Sequence, residues 1–478
     1  MLAYLGESSL EVPGSEVACA NCHGFDGEGK PEGGVNPSNL TWEVLTKPYG
    51  HTHADGRKHP PYTERALELT ITRGTDPAGN KLLSVMPRYV MSREDLADLI
   101  FYLKHLGEDQ DPGITKNKIV IGTALPAKGV MADVGQAVKA VTAAFFDELN
   151  SQGGIYSRHL ELKCIETAET PAATRVNLER LIRDEQIFAL TSVFIAGSEK
   201  EIIPLMAQQD VPLIGPLTLY PQIGLPLNRE VFYLLSGTDG LARALIDFTS
   251  KKPEFQNLGV TIVYPSSENN AGVVEAVRDQ RKKYGLSAPR IYEYVAGRLD
   301  AAKAVNQLGK TNPDMVLFLG NSEEALSFMR AADEQEWFPP IFLPGPAAGT
   351  EIFLAPPGFN GKVFLSFPTS PADQSAEGIK EFDALVEKYK LTNHHVATQM
   401  LAYSAAKILV EALKRAGRDL SRDKLIQSLE GLSDYPTGLT PPVTFGPNRR
   451  IGAMGAYVVT IDLNKKQFLR VSGWINIY

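Results

Sequence analysis

Cys19, Cys22 and His23 stand in the order C-x-x-C-H. That is the attachment sequence for a c-type haem. Each thiol can add across one vinyl group of a porphyrin, and the adjacent imidazole can take an axial site on the iron. Two cysteines three positions apart lie on one side of a helical turn. Zinc is the rival reading, because Cys-x-x-Cys with the His51-x-His53 pair also offers a metal-binding set. The histidine set directly against the second cysteine favours haem.

The surrounding elements must hold those groups together. After His23 a glycine-rich stretch, 24–37, reads as loop; no Lys-Ser/Thr follows it, so it is not a phosphate cradle. Residues 63–72 have a helical pattern, with Leu67 and Ile71 four apart. Ser92 opens a second helix in the manner of a capping box, and Leu96, Leu99, Ile100 and Leu103 form its apolar stripe up to Gly107. Between the two lies Met86-Pro87. A C-x-x-C-H helix, a long loop, a Met-Pro and a terminal helix with Phe101-Tyr102-Leu103 together resemble a class I cytochrome c. The resemblance implies a small all-α domain with Cys19 and Cys22 as thioether links, His23 as proximal ligand and Met86 as distal ligand. A thioether opposite an imidazole favours reduced iron. Met91 and the loop histidines His51, His53 and His59 are the other candidates for the sixth position. Arg57 and Arg88 could pair with haem propionates, solvated arginines being the commoner case.

The chain has 478 residues and a formal net charge of -8, so two or three domains are expected and a basic face for nucleic acid is not. With 43% hydrophobic and 22% charged residues it fits a soluble globular protein, and no apolar run approaches a membrane helix. Of its three cysteines, Cys164 sits in a strand-like alternation and reads as inert packing. Residues 1–17 lack a basic n-region and carry Glu7, Glu11 and Glu16, so they are not a signal peptide. Covalent haem attachment belongs outside the cytoplasm, and a periplasmic protein separated from its export signal is expected.

A polar stretch ending in Pro112-Gly113 marks a boundary, giving a cytochrome domain at 1–107, a linker at 108–117 and a larger domain at 118–478. From Lys118 short apolar strands alternate with amphipathic helices in two successive runs, the pattern of two doubly wound parallel sheets. The order 118–125, 147–155, 211–216 and 443–450 resembles the type I periplasmic solute-binding proteins, closest to the receptors of branched-chain amino-acid and amide ABC transporters. That family implies two lobes joined by three crossovers, here 118–235 with 363–435 and 236–362 with 436–478, and a ligand held between them. By position, its contacts fall at Ala196, Gly197, Ser198, Leu217, Thr218 and Leu219 from lobe one. Those from lobe two fall at Asn269, Asn270, Asn321 and Pro346. Lys128 adds a positive charge in the first loop. Amino-acid-binding members usually carry a serine at the position of Ala196 and an acidic residue near Pro346, and aromatic residues where Asn270 and Asn321 stand. These departures point to a small carboxylate, alcohol or amide as the ligand.

No P-loop, dinucleotide fingerprint or triad signature is present, and His159, His394 and His395 have no acidic or thiol partner nearby in sequence. The chain reads as a binding protein, not an enzyme: a periplasmic receptor for a small organic molecule with one covalently bound haem c for single-electron transfer. An ABC-transporter permease and a redox protein are its expected partners. The alternatives are an electron-transfer component of a periplasmic dehydrogenase system and a redox-linked ligand sensor.

Overall fold

The computed structural model describes residues 2–4, 11–13, 17–24, 27–29, 31, 35–53, 56–106, 111–224, 226–256, 258–310 and 314–477. They fall into two compact units, Met1–Asp111 and Pro112–Tyr478.

In the smaller unit, strands β1 (Leu2–Tyr4) and β2 (Glu11–Pro13) precede α1 (Cys19–His23), the single turn that carries the C-x-x-C-H motif. After α2 (Trp42–Leu45) comes a small antiparallel pair, β3 (His51–Thr52) with β4 (Lys58–His59). Helix α3 (Glu64–Arg73) starts where Thr63 accepts a hydrogen bond from the Ala66 amide and stops at Gly74, which is left-handed at φ 66°. Strand β5 (Arg88–Val90) leads to α4 (Arg93–His105), whose N-cap Ser92 accepts from the Asp95 amide. Ala3, Leu45, Leu67, Ile71, Tyr89, Ile100 and Leu103 form one buried cluster. The expectation of an all-α unit is corrected: β1 pairs antiparallel with both β2 and β5, making a three-stranded sheet. Ala3 is fully buried there, opposite Tyr89.

The expected linker at 108–117 is also shortened. Residues 107–110, including the helix-ending Gly107, lie outside the described residues. Gly113 already accepts from the Val120 amide at 2.8 Å, and Ile114 is buried in the core of the larger unit. The chain therefore joins that unit several residues before Lys118.

The larger unit holds two sheets. The first runs in the order β16-β10-β9-β8-β6-β7, wholly parallel. Its strands are β6 (Lys118–Leu125), β7 (His159–Glu166), β8 (Ala189–Thr191), β9 (Leu213–Ile214), β10 (Val231–Leu235) and β16 (Ile451–Ala453). The second runs β12-β11-β13-β14-β15-β17-β18, with β19 also paired to β17. Its strands are β11 (Val260–Pro265), β12 (Arg290–Tyr294), β13 (Met315–Phe318), β14 (Ile341–Pro344), β15 (Val363–Phe367), β17 (Gly455–Asp462), β18 (Gln467–Arg470) and β19 (Ile475–Asn476). This sheet is parallel from β12 to β15 and antiparallel beyond; β17 and β18 are joined by a short turn, and a hairpin cannot be parallel.

Helices cover both faces of each sheet, as parallel strands require. Ala132–Ser151, Val396–Ala416 and Arg422–Glu430 bury one face of the first sheet, and Pro171–Asp184 with Glu199–Gln209 the other. On the second sheet Thr238–Lys251 and Glu268–Lys283 lie on one face, and Ala301–Gly309 with Ser322–Asp333 on the other. The chain passes between the sheets three times: after Leu235, after Phe367 and at Met454. The expected divisions at 363 and 436 therefore move. Val363–Phe367 belongs to the second sheet, paired with β14, and Ile451–Ala453 to the first, paired with β10.

Candidate functional site

The first site is built on α1. Gly27 and Gly29 have φ of 71° and 91°, a left-handed turn that folds the chain back over the motif. The Gly29 amide then reaches the His23 carbonyl at 2.7 Å, and the Leu40 amide the Gly27 carbonyl at 2.7 Å. This return brings Ser38 to the proximal imidazole: His23 Nδ1 lies 2.7 Å from the Ser38 carbonyl oxygen. A carbonyl only accepts, so Nδ1 carries the proton and Nε2 keeps its lone pair for a metal. Burial pushes the His23 pKa down, against the lift from that bond, which favours the neutral, ligating form.

Cys19, Cys22, His23 and Met86 line one cavity of about 370 Å³. Its walls are mostly apolar, with Leu40, Leu67, Ile71, Leu99 and Leu103 among them. Both thiols are exposed and unpaired. Two free thiols, an imidazole with a committed Nδ1 and a thioether, gathered on an apolar slot, fit a covalently attached haem. Met86 is held by its main chain. Arg88 donates from Nη1 to the Met86 carbonyl at 2.5 Å, and from Nη2 to those of Leu82 and Leu83 at 3.2 and 3.4 Å. Arg57 meets the buried Asp76 at 2.9 Å. Met91 packs against the core cluster instead of lining the cavity.

His51, His53 and His59 also line the cavity. His53 Nε2 and His59 Nε2 lie 3.0 Å apart, and His59 Nδ1 is 2.8 Å from the Pro60 carbonyl. Among the described residues no group of three histidine, cysteine or acidic side chains is arranged to hold a metal ion.

The residues expected to contact a ligand in the larger unit lie on loops of its two sheets. Ala196 and Gly197 are exposed, and Ser198 is the N-cap of Glu199–Gln209 without a side-chain capping bond. Leu217 is bridged to Phe194, Thr218 donates to Glu199 at 2.5 Å, and Leu219 is exposed. Across from them, Asn269 is half-buried and Asn270 buried. Asn270 donates to the Pro265 carbonyl and accepts from the Tyr220 hydroxyl at 3.2 Å, so its polar atoms serve the protein itself. Asn321 is likewise used, as N-cap of Ser322–Asp333 in a capping box with Glu324. Pro346 is exposed in the 3-10 turn Gly345–Ala347. Lys128 is exposed and pairs with Glu166 at 3.4 Å. The structure thus brings Thr218 and Asn270 to facing segments, while Lys128 and Asn321 have partners within their own halves.

Sequence reasoning missed the residues that join these segments. Tyr220 crosses from the first half to Asn270, and Lys200 pairs with Glu268 between the starts of two helices. Glu199, 4% exposed, sits at a helix N-terminus, where an anion is favoured. Ser38 was missed as well. None of these has a sequence signature, since each acts through a partner distant in the chain.

The fold and the motif were compared with known proteins. The Periplasmic binding protein family model matches residues 118–467 and the Cytochrome c model matches residues 15–107. The chain belongs to the periplasmic binding protein family and carries a cytochrome c domain, which implies haem binding. The Leu/Ile/Val-binding protein BraC3 of Rhizobium johnstonii is 21% identical over 329 residues, 69% of this chain and 87% of that protein. The leucine-, isoleucine-, valine-, threonine- and alanine-binding protein of Pseudomonas aeruginosa is 20% identical over 325 residues, covering 67% and 84%. Among solved structures, a branched-chain amino acid ABC transporter protein from Thermus thermophilus with bound valine is similar in fold. Its TM-score is 0.62 at 16% identity, covering 76% of this chain and 97% of that one. A fatty acid ABC transporter substrate-binding protein from Thermomonospora curvata has a TM-score of 0.62 at 18% identity, covering 77% and 95%. No helix among the described residues is long and apolar enough to cross a membrane.

Proposed function

We propose that this protein is a periplasmic receptor of the ABC-transporter type for a small organic ligand, carrying one haem c that exchanges single electrons with a redox partner. The observation that supports it most is the gathering of Cys19, Cys22, His23 and Met86 on one apolar cavity, in a chain whose remainder has the two-sheet fold of a solute receptor.

The haem, when bound, supplies a one-electron couple. Cys19 and Cys22 would anchor it, and His23 through Nε2 and Met86 through its sulfur would hold its iron. The Ser38 carbonyl orients the His23 ring, and the apolar walls exclude water. The loop histidines are weaker sixth ligands, because His53 and His59 have their Nε2 atoms turned to each other.

In the larger unit the two sheets form two lobes with the ligand between them, bounded by 196–198 and 217–219 on one side and 269–270 on the other. Several relatives are named for binding branched-chain amino acids. Here Ala196 offers no hydroxyl and Pro346 no carboxylate for an amine, so the ligand is a small carboxylate, alcohol or amide. Delivery to a membrane permease follows from the receptor family.

The test is periplasmic expression followed by a reduced pyridine-haem spectrum, then a thermal-shift screen of small carboxylates, alcohols and amides beside leucine and valine. A covalent c-type spectrum and a raised melting temperature with one of the first three classes are expected. A site at a hundredfold ligand excess over Kd gains about 2.7 kcal/mol. Absence of covalent haem overturns the carrier reading, and stabilisation by valine or leucine alone overturns the ligand class.

A further inference from the structure

Glu199 is a buried carboxylate that has no basic partner among the described residues. It is 4% exposed and opens the helix Glu199–Gln209. The Thr218 hydroxyl donates to its Oε1 at 2.5 Å, and that hydroxyl accepts in turn from the Tyr220 amide at 2.9 Å. A threonine has a single O–H to give, so Thr218 is committed to Glu199. Lys200, the next residue, turns away to Glu268. A helix N-terminus and one hydroxyl are left to offset a buried negative charge, which ordinarily needs a paired charge or several donors.

Two contacts beside Glu199 reach the other half of the larger unit. Lys200 pairs with Glu268, and the Tyr220 hydroxyl donates to Asn270 at 3.2 Å. Glu268 and Asn270 lie in the first turn of the helix Glu268–Lys283, with Asn269 between them. Successive residues on a helix point about 100° apart, so a residue whose two neighbours both reach across points across as well. Asn269 is half-buried, and among the described residues its side-chain amide has no hydrogen-bond partner. Burial pushes the Tyr220 hydroxyl up in pKa; a bond with Thr238 opposes this and the charge of Glu199 adds to it, so the carboxylate lies close to the crossing contact.

The loop just before Glu199 faces open space. Ala196 and Gly197 are exposed, and a Cβ on Gly197 would meet no atom within 4 Å. Ser198 is half-buried, and its hydroxyl makes no capping bond. An acceptor, Glu199, and two uncommitted donors, Ser198 and Asn269, thus gather beside the exposed loop. A carboxylate ligand there would stand against a buried carboxylate, and like charges repel most where water is excluded. A neutral group with an N–H or O–H supplies the donor that Glu199 lacks, and its own oxygen can accept from Ser198 or Asn269.

We propose that Glu199 is a specificity-determining residue of the receptor site, accepting a hydrogen bond from an uncharged alcohol or amide and turning away carboxylates, with Asn269 holding the same ligand from the other half. The proposal rests on the receptor reading above and narrows its ligand class. The helix N-terminus already offsets part of the negative charge and would repel an ammonium group, so a neutral donor suffices. Selection then comes from one buried acceptor that only a donor can satisfy.

The test is calorimetric binding to the full-length holoprotein of four probes of one shape: isobutyramide, isobutanol, isobutyrate and isobutylamine. Isobutyramide or isobutanol should bind about tenfold or more tighter than isobutyrate. In Glu199→Gln, which keeps the shape and adds a donor, that neutral probe should lose about tenfold to a hundredfold in affinity while isobutyrate gains. Asn269→Ala should weaken the neutral probe as well. Asn269 is only half-buried, so this variant and the wild-type order report even if Glu199→Gln does not fold. Isobutyrate or isobutylamine binding as tightly as the neutral probes overturns the proposal, as does an unchanged order in Glu199→Gln. Silence of all four while another small carboxylate binds overturns it too, and unchanged binding in Asn269→Ala removes the contact from the other half. A protein that binds no small molecule of any class in the earlier screen loses the receptor reading instead, which separates the two failures.

Discussion

Arg88 holds Met86 by its backbone: the guanidinium lies 2.5 Å from the Met86 carbonyl oxygen and also reaches those of Leu82 and Leu83. Met86, which lines the cavity, is thus set by a side chain two residues further on. Burial lowers the Arg88 pKa, but an arginine stays charged at any ordinary pH. Arg88→Leu leaves the three carbonyls without this donor and should cost about 2 kcal/mol. The charge-transfer signature of methionine on ferric iron should weaken with it. Gly74→Ala should act in the same direction, because its Cβ would fall on the Arg88 guanidinium and its φ of 66° is strained for alanine. Unchanged methionine ligation in both variants would remove Arg88 from this role.

The two thiols of α1 should each carry one covalent link. Cys19→Ala or Cys22→Ala should leave haem bound through a single thioether, seen as a shifted pyridine-haem absorption. Cys19→Ala/Cys22→Ala should release all haem into acidified organic solvent. The His23–Ser38 contact does not involve sulfur, so non-covalent haem binding at neutral pH should survive in the double variant. Complete retention of haem on a denaturing gel by the double variant would disprove thioether attachment.

Asp76 gives the smaller unit an acid-sensitive joint. Burial alone would raise its carboxyl pKa, but bonds from Asn80, from Arg57 and from the Ala78 amide hold it below the usual value. A depressed folded pKa means that the stabilisation is fully present above the unfolded value, near 3.9, and is lost as pH falls through the folded one. The haem unit should therefore lose melting temperature steeply below about pH 4. Asp76→Asn should flatten that acid slope while lowering stability at pH 7 by about 2 kcal/mol. Thermal unfolding followed at the haem absorbance checks it, and equal acid slopes in both proteins would rule the role out.

Much of this architecture is legible in local chemistry. Ser92 announces its helix because a capping hydroxyl acts within three residues, and Leu67 and Ile71 announce the helix after Thr63 by their spacing. The strand–helix alternation from Lys118 is equally local, and Arg290–Tyr294 and Glu199–Gln209 fall where the pattern puts them. The C-x-x-C-H triplet announces itself because its chemistry is contiguous. What stayed hidden depends on pairing over long separations. Leu2–Tyr4 becomes a strand only by lying beside Arg88–Val90. Ile451–Ala453 and Gly455–Asp462 join different sheets although a single residue, Met454, divides them. Ser38 carries no signal, being a lone serine placed by two glycine turns upstream. The cleft contacts follow from position within the family resemblance, and nothing in the loops that carry them reveals that Asn270 and Asn321 are already engaged within the protein.

Among the contacts that cross between the halves of the larger unit, two near the expected ligand contacts should differ in weight. Lys200 and Glu268 are both largely exposed, and exposed pairs contribute about 0–1 kcal/mol. The Tyr220 hydroxyl instead donates to Asn270, which is 4% exposed. Tyr220 is anchored at its own end as well, since its amide donates to the Thr218 hydroxyl. Tyr220→Phe keeps the ring but leaves a buried amide oxygen unpaired whenever the halves meet, a cost of about 1–2 kcal/mol. That is a factor of about 5–30 in the equilibrium between closed and open forms. The variant should show a larger radius of gyration in solution scattering and proportionally weaker ligand binding, with little change in the haem spectrum. Lys200→Ala should change the radius hardly at all at physiological salt. If Tyr220→Phe scatters like the wild type while Lys200→Ala opens the molecule, the exposed pair and not the buried hydroxyl governs closure.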